Sequence, residues 1–504
     1  MASESEIIEK GYPAAWKDLV TRVVVVFIGK EGAIGWPYYN FDVKEEAERI
    51  KKALMEEVAP KVSGVEFYGW YLLDDPIKSE SLIPEIVKDA DGILAIPLNQ
   101  EFADSAWTPH PILTQLAETD KPMIVYSRPF SVYWDMGSVL ERMGRVHTVT
   151  SEDLSAIIPA LEALRAFNRI RHTKILLLKD YEFDKNAIDP RLRDARWTGP
   201  AYLARIKDTF GIDVVRVTSK EFIEVYNQIP IEEARAEAEK IISQAKGVEP
   251  PLDDVVKAAR GLLAVRRLLE KYGANAWTWD CLTALRQRTL PISLCLAISV
   301  LNNEGIPSGC EADMDALITM IMGMAVCNRP AFMGDPVIDE AKRVMYIAHC
   351  TAATQMLGKG SKPFSFRIRT HAESHREVGV ETLFEPGEVT VFKLQGGMTT
   401  RGISFPQYAI DSKFAGYTLM AEKAEALGHL ESERGCRSKI VIKIPDQVDV
   451  NEFKHNFYCE HKIVCYGDHV ERLRVLSKFL KIGFFKGLYI PLSRLTTGTT
   501  ETST

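Results

Sequence analysis

The run Val23-Val24-Val25-Val26-Phe27-Ile28 decides the fold class of the first part of this chain. Six successive apolar residues, mostly β-branched, are typical of a strand that is buried on both faces of a parallel sheet. Residues 42–58 follow with helical spacing, further strands are predicted at 92–96 and 122–126, and a helix at 151–167. Strands that alternate with helices predict an α/β domain with right-handed crossovers.

A second α/β unit is predicted to begin at Lys174-Ile175-Leu176-Leu177-Leu178, which is again an apolar run of the buried type. Its next strand is expected at residues 214–217. The chain that follows has strongly helical spacing. The helices are predicted at residues 231–246, 253–272, 282–304 and 312–327.

The chain changes character after Lys359-Gly360-Ser361-Lys362-Pro363, a stretch of turn-forming residues. Strand-like segments then prevail, at residues 364–368, 389–394, 440–444 and 462–466. We therefore predict two successive Rossmann-like α/β domains followed by a β-rich, barrel-like C-terminal domain. The domain boundaries are predicted at residues 1–172, 173–356 and 357–504.

Composition excludes several classes of partner. The net charge is −7 over 504 residues, whereas a nucleic-acid binder concentrates positive charge. The apolar runs are shorter than the ~18–20 residues that cross a bilayer, and the acidic N-terminus is unlike a secretory signal. The eight cysteines are too few for a disulfide scaffold of this size, and they form no C-x-x-C pair, which argues against a zinc ribbon. We expect a cytoplasmic protein with no nucleic-acid or membrane partner.

The common nucleotide and hydrolase motifs are absent, but one acidic turn stands apart. Ser308-Gly309-Cys310-Glu311-Ala312-Asp313-Met314-Asp315 carries three acids into an apolar helix. Acids in a first helical turn complement the helix dipole, which explains Asp313 and Asp315 without any function. Glu311 lies earlier, in the turn itself. Asp335 is expected at the C-terminal end of a strand, a usual place for function in an α/β domain.

Two histidines complete the candidates. His349 is predicted on a helix, where a histidine is more often a satisfied core residue than a ligand. His461 precedes the strand predicted at 462–466, and regular alternation would place it on one face with Ile463 and Cys465, pointing inward. Spacing alone therefore leaves both histidines open to a structural explanation.

These segments resemble the L-fucose isomerase and L-arabinose isomerase superfamily, and most of all its fucose isomerase branch. The resemblance rests on Cys-Leu-Ala-Ile-Ser-Val-Leu-Asn-Asn at 295–303, Cys-Glu-Ala-Asp-Met-Asp at 310–315, Phe-Met-Gly-Asp at 332–335 and Glu-His-Lys-Ile-Val-Cys-Tyr-Gly-Asp at 460–468. It implies an aldose–ketose isomerase with a divalent metal, commonly Mn²⁺. It also implies a homo-oligomer, a trimer or hexamer, whose neighbouring subunits complete each site.

The resemblance also implies residue roles. Glu311 and Asp335 match the two carboxylate ligands of the metal, which serve in proton transfer as well, and His461 matches the histidine ligand of the third domain. His349 matches a ligand of the arabinose isomerase branch only, so it is expected as a fourth ligand or as a donor close by. His455 is the alternative to His461 if the match is shifted.

The chemistry of the reaction suits this set of residues. Proton transfer between C2 and C1 of a sugar passes through an enediol, whose developing negative charge a hard divalent cation stabilises. A nearby carboxylate can move the proton. A pentose, a 6-deoxyhexose or a C6-substituted hexose would use the same chemistry. The alternatives are a non-catalytic sugar-binding protein and another type of sugar-modifying enzyme, against which the paired carboxylates favour catalysis.

Overall fold

The computed structural model describes residues 12–102, 107–132, 137–180, 199–395, 417–455 and 461–489. The chain divides into two compact units. The first consists mainly of Asp18–Arg169 and Glu471–Ile482, and the second mainly of Ile170–Val470. No helix in the described ranges is both long enough and apolar enough to span a membrane.

The first unit contains a parallel five-stranded sheet. Its strands are β1 (Thr21–Ile28), β3 (Val65–Leu73), β4 (Gly92–Pro97), β6 (Met123–Ser127) and β7 (Val146–Thr150), while β2 (Gly35–Trp36) pairs separately with β5 (Gln100–Glu101). The sheet order is β3-β1-β4-β6-β7. Every residue from Val23 to Ile28 in β1 is buried, as the apolar run predicted.

Aspartate side chains cap two of the α-helices in the first unit. The α-helices are α1 (Val43–Ala53), α2 (Pro76–Val87), α3 (His110–Glu118), α4 (Gly137–Leu140) and α5 (Ile158–Arg171), with 3₁₀ turns at Ala59–Lys61 and Leu154–Ile157 and a π turn at Leu54–Val58, while the 3₁₀ turn Ala14–Trp16 belongs to the second unit. The Asp42 carboxylate accepts a hydrogen bond from the backbone N–H of Glu45, and Asp75 caps α2 in the same way. These caps satisfy N–H groups that have no partner within the helix.

The second unit begins with a parallel three-stranded sheet. Its strands β8 (Lys174–Leu178), β9 (Asp213–Val217) and β10 (Ala276–Trp279) have the order β10-β8-β9. The helices that follow along the chain are α6 (Pro200–Phe210), α7 (Ser219–Gln228), α8 (Ile231–Ile242), α9 (Leu252–Tyr272), α10 (Cys281–Gln287), α11 (Cys295–Asn303) and α12 (Met314–Cys327). The single helix predicted at 282–304 is wrong, because Arg288 adopts a left-handed φ of 55° and ends α10.

The rest of the second unit is dominated by antiparallel strands. They are β11 (Phe332–Asp339), β12 (Val344–His349), β13 (Phe366–Thr370), β14 (Val378–Thr382), β15 (Gly387–Gln395), β16 (Thr418–His429), β17 (Ser438–Lys443), β18 (Lys462–Tyr466) and β19 (Gly483–Lys486). Helices α13 (Val450–His455) and α14 (Val470–Leu480) flank β18, and the residues of α14 from Glu471 onward belong to the first unit.

Six of these strands form a closed barrel. Their order is β15-β18-β11-β12-β17-β16, and β16 pairs back with β15 along the whole of that strand. β13 and β14 form a separate ribbon. The parallel sheets with their helices and the closed barrel confirm the predicted fold class. β11 and β12 precede residue 357, and the three-domain division stays a prediction.

Helix α12 lies against the outside of the barrel. A Cβ atom built on Gly323 in α12 would lie 3.1 Å from the sulfur of Cys465 in β18 and against the ring of Phe392 in β15. The opposite side of the same strands, including Val391 and Val464, belongs to the barrel core. β18 is therefore buried on both faces, by the core on one and by α12 on the other.

Candidate functional site

The antiparallel register brings three of the four candidate side chains to one end of the barrel. Asp335 in β11 pairs with Ala348 in β12, next to His349, which is the last residue of that strand. On its other side β11 pairs with the start of β18, and His461 directly precedes that strand. Asp335, His349 and His461 thus come from three adjacent strands.

Glu311 reaches the same place from the turn before α12. Glu311 and Ala312 both have left-handed φ angles, 61° and 53°, which non-glycine residues adopt only when their surroundings hold them there. The N–H of Ala312 donates to the carbonyl of Trp279 at the end of β10 (2.8 Å), and the N–H of Cys310 donates to the sulfur of Met333 in β11 (3.2 Å). The turn is therefore fixed to the parallel sheet and to the barrel at once.

The four side chains converge. One ligand atom from each of Glu311, Asp335, His349 and His461 lies within 4.8 Å of all the others. Nε2 of His461 is 3.6 Å from Oε2 of Glu311 and 3.5 Å from Oδ1 of Asp335, and Nε2 of His349 is 3.5 Å from Oε1 of Glu311. Two carboxylates and two imidazoles thus face a common point.

The two kinds of side chain differ in exposure. Glu311 exposes 24% of its side chain and Asp335 exposes 50%, whereas His461 exposes 1%. The carboxylates therefore lie on the open side of the cluster, and the imidazoles lie behind them.

His461 is held by a carboxylate on its far side. Its Nδ1 lies 2.8 Å from Oδ2 of Asp313, and the other oxygen of Asp313 accepts the N–H of Ala316 at 2.8 Å and so caps α12. Lys393, itself buried, places its Nζ 3.4 Å from Oδ2 of Asp313. Because a carboxylate only accepts, Nδ1 of His461 carries the hydrogen, and Nε2 presents its lone pair to the cluster when the ring is neutral.

His349 has the opposite arrangement. Its Nδ1 accepts the backbone N–H of Cys350 at 3.1 Å, and the hydroxyl of Thr351 lies 3.2 Å from the same nitrogen. In the neutral ring the hydrogen is therefore on Nε2, which points at Glu311. The two histidines are thus set for different tasks: His461 offers a lone pair to the cluster, and His349 offers a hydrogen-bond donor.

Mutual attraction shifts the pKa values of the cluster. Burial alone would raise the pKa of Glu311, but His349 and His461 outweigh it and hold this pKa far below its usual range. Burial would lower the pKa of His461, but the hydrogen bond to Asp313 and the charge of Glu311 raise it to about 10. The cluster thus favours an ionised Glu311 beside a His461 ring that readily takes up positive charge.

A divalent cation fits this set of donors. Among the described residues Nε2 of His461 and Nε2 of His349 are both buried without a hydrogen-bond partner, and only that of His461 is left with a lone pair in the neutral ring. Ligand atoms on opposite sides of one ion, each bonded at ~2.0–2.3 Å, lie about 4–4.6 Å apart, close to the observed spacing. An orphaned imidazole nitrogen between two carboxylates is a donor set that manganese or a similar ion accepts.

Two of the expectations about local structure are wrong. His349 ends a strand and not a helix, because β11 and β17 pair with β12 on both sides. Asp335 lies within an antiparallel barrel strand and not at the C-terminal end of a parallel one. His461, Ile463 and Cys465 are buried as predicted, although Cys465 is buried against α12 and not in the barrel core. The side chain of His455 lies outside the described residues.

Sequence reasoning missed two residues that shape the site. It explained Asp313 as a helix-start acid, which is correct for one carboxylate oxygen but overlooks the other, on His461. It passed over Lys393, although a charge inside the apolar strand at 389–394 was a usable signal, since a buried lysine needs a partner.

Comparison with known proteins gives distant relatives. No protein-family model matches the chain. It is 28% identical over 251 residues to a sulfoquinovose isomerase of Clostridium sp. (strain MSTE9), a match that covers 46% of this chain and 54% of the relative. It is 22% identical over 284 residues to a sulfoquinovose isomerase of Alkalicoccus urumqiensis, with 55% and 59% covered. The matches thus span little more than half the length of each relative. They support the resemblance at the level of the superfamily and leave the fucose isomerase branch a prediction.

Proposed function

We propose that this protein is a divalent-metal-dependent aldose–ketose isomerase that acts on a C6-substituted sugar. The observation that carries the proposal is the convergence of Glu311 and Asp335 on the buried, unpartnered Nε2 of His461. The names of the two relatives support an isomerase and, within the pentoses, 6-deoxyhexoses and C6-substituted hexoses considered above, favour the last class.

Glu311, Asp335 and His461 would hold the ion. When bound, a divalent ion supplies positive charge that polarises the sugar carbonyl and stabilises the charge of the enediol. Asp313 keeps the lone pair of His461 directed at the cluster by accepting the Nδ1 hydrogen, and Lys393 balances the buried charge of Asp313. Such outer partners fix the tautomer and the orientation of a ligating ring.

Proton transfer falls to the carboxylates, because they lie on the open side of the cluster. Glu311 accepts the proton from C2 of the aldose and returns it to C1, and the hydroxyl proton of O2 moves to O1 by way of solvent, which yields the ketose. Nε2 of His349, which carries the hydrogen, lies 3.5 Å from Oε1 of Glu311, and its positive N–H favours the ionised form of this carboxylate, which is the form that accepts a proton. In this role His349 positions the base and does not ligate the metal.

A sugar panel tests the proposal. The protein is incubated with Mn²⁺ and with sulfoquinovose, glucose 6-phosphate, L-fucose or L-arabinose, and ketose is measured by NMR. We expect turnover with a C6-substituted hexose and none in the presence of a chelator. Exchange of the C2 proton for solvent deuterium identifies the proton-transfer step. Binding of these sugars without turnover or exchange would favour the sugar-binding alternative. The cytoplasmic location and the homo-oligomer stay predictions.

A further inference from the structure

A second group of side chains that could bind a metal ion lies next to the candidate active site. The sulfur atoms of Cys350 and Cys436 and a carboxylate oxygen of Glu373 all lie within 4.8 Å of one another. The sulfur of Cys436 is 2.8 Å from Oε1 of Glu373. None of these three residues takes part in the function proposed above.

The fold holds the three donors from separate elements. Cys350 directly follows β12 and Cys436 lies two residues before β17, and these strands pair at His349 and Ser438. Glu373 comes from the turn between β13 and β14. Donors from three elements that are far apart in sequence are brought together by the tertiary fold and not by local chain geometry.

Surrounding groups orient these donors as ligands. The N–H of Arg437 donates to the sulfur of Cys350 at 3.5 Å, a contact that stabilises a thiolate. The second oxygen of Glu373 is 3.1 Å from Nε2 of His371, whose Nδ1 accepts the N–H of Ser374 at 3.3 Å. His371 therefore carries its hydrogen on Nε2 and holds one oxygen of Glu373, which leaves the other oxygen beside the sulfurs. Hydrogen-bonded ligands of this kind are the rule at metal sites.

Another group of possible metal ligands among the described residues differs, because its carboxylates are already paired with arginine side chains. Glu381, His429 and Glu431 also lie close together, but Arg367 contacts both Glu381 and Glu431 at 3.2 Å and Arg369 contacts Glu381 at 3.0 Å. These guanidinium groups already neutralise the carboxylates. Near Cys350, by contrast, the guanidinium group of Arg437 donates to the carboxylate of Glu433 and to the carbonyl of Thr370.

We propose that Cys350, Cys436 and Glu373 are the ligands of a second metal site, which binds a zinc ion. Two thiolates and one carboxylate are a soft, borderline donor set that favours Zn²⁺ over Mn²⁺. The Glu373 side chain is 46% exposed, so an ion can enter from solvent and a fourth position stays open to water. The N–H of Cys350 is the donor to Nδ1 of His349, so the ion would fix the backbone that sets the tautomer of that histidine.

Metal analysis of the full-length protein tests this site. The chain is purified with zinc and manganese present, and both metals are counted per chain for the unaltered protein, Cys436→Ser, Glu373→Gln, Glu311→Gln and the matched control Cys327→Ser, a cysteine of similar partial exposure. We expect about one tightly bound zinc ion per chain. It should be lost in Cys436→Ser and Glu373→Gln and kept in Glu311→Gln and Cys327→Ser.

Spectroscopy keeps the test decisive if a variant folds poorly. Cobalt replaces zinc in such sites, and thiolate ligation then gives an intense sulfur-to-cobalt charge-transfer band, which the unaltered protein should show and Cys436→Ser should lack. Zinc content that is the same in Cys436→Ser and the unaltered protein would overturn the proposal. So would the absence of the band at saturating cobalt, or a Cys350–Cys436 disulfide in protein purified without oxidant. Because Glu311→Gln tests the other site, failure here is distinguishable from failure of the isomerase proposal.

Discussion

Asp313 and His461 are joined by a buried hydrogen bond of 2.8 Å, although 148 residues separate them in the chain. The same carboxylate starts helix α12 by capping Ala316. One side chain therefore fixes both the beginning of the helix that covers the barrel and the orientation of the imidazole ring in the candidate site. A substitution that alters only one of the two oxygens should therefore separate the start of the helix from the orientation of the ring, because each oxygen has its own partner.

Asp313→Asn should weaken manganese binding while the fold is retained. Asparagine still caps a helix, but its amide can donate to Nδ1 of His461 and so move the ring hydrogen to Nε2, where it blocks the lone pair. Loss of such an outer partner typically costs 10–100-fold in metal affinity or activity, and we expect about that loss here. Manganese titration followed by electron paramagnetic resonance measures it, with circular dichroism as the check on folding. Unchanged affinity would contradict the role of Asp313.

Removal of either carboxylate at the site should abolish isomerisation without unfolding the protein. Glu311→Gln removes both a ligand and the proton acceptor, and we expect a loss of at least ~10²–10⁴-fold in kcat/KM. Asp335→Asn should act through metal binding and should recover partly at high manganese concentration. Asp339→Asn is the matched control, since it makes the same change in the same strand at a side chain outside the cluster, which bonds Tyr346 and Lys342. Equal activity of Asp335→Asn and Asp339→Asn would remove Asp335 from the site.

His349→Ala should be milder than His461→Ala, because the two rings present opposite tautomers to the cluster. We expect His461→Ala to abolish metal binding and His349→Ala to keep it while kcat falls. His349→Gln, whose amide can donate to Glu311, should restore part of that kcat. Metal content and kcat, measured side by side, separate the two roles. Loss of the metal in His349→Ala would make His349 a ligand, as the arabinose isomerase branch implies.

Asp315→Asn should stabilise the protein above pH 6. Asp315 is 4% exposed and accepts the hydroxyl of Tyr202. Burial raises its pKa to about 6; the charge of Lys393 opposes the shift and that of Asp313 adds to it. The folded chain thus holds this proton more tightly than the unfolded chain, so the contribution is full below about pH 4 and is lost as the pH rises through about 6.

The expected size of this effect is on the order of 3 kcal/mol or less in the free energy of unfolding. Asparagine keeps an acceptor for Tyr202 but has no proton to lose, so the variant should gain stability relative to the unaltered protein between pH 4.5 and 7. Urea unfolding at several pH values measures the difference. A difference that does not depend on pH would contradict the raised pKa.

Gly323→Ala should lower the free energy of unfolding, although alanine is the better helix former. The gain in helix propensity is about 1 kcal/mol. Against it stands the contact of the new methyl group with the buried ring of Phe392 and the sulfur of Cys465, and overpacking of this kind costs about 1–3 kcal/mol. We therefore expect a net loss of up to about 2 kcal/mol in urea unfolding. A stabilised Gly323→Ala protein would mean that α12 can move away from the barrel.

Sequence patterns predicted those parts of the fold that depend on local composition. The valine run of β1 is buried on both faces, and β18 has the predicted bounds, because each is a continuous apolar run. Residues 341–348 contain several good helix formers, yet β12 is a strand, because β11 and β17 supply hydrogen-bond partners on both sides. Local spacing does not contain that information.

The candidate site, too, could be predicted only as far as local sequence allows. The acidic turn at 310–315 could be singled out from its residues, and the resemblance selected Glu311 and Asp335 from it and from the next strand. Spacing could not reveal that Asp313 contacts His461, since their contact depends on how the turn before α12 lies against the start of β18. Nor does spacing distinguish the tautomers of His349 and His461, which depend on the atoms behind each ring.

The distance along the chain between Asp313 and His461 has a consequence for biosynthesis. At about 5–20 residues per second, the ribosome needs roughly 7–30 s to add the 148 residues from Met314 to His461. During that interval the nascent chain carries the acidic turn without its imidazole partner, and the barrel cannot close without β18. We expect the emerging segment to engage chaperones until β18 has left the exit tunnel, so a pause in translation ahead of residue 461 should prolong that engagement.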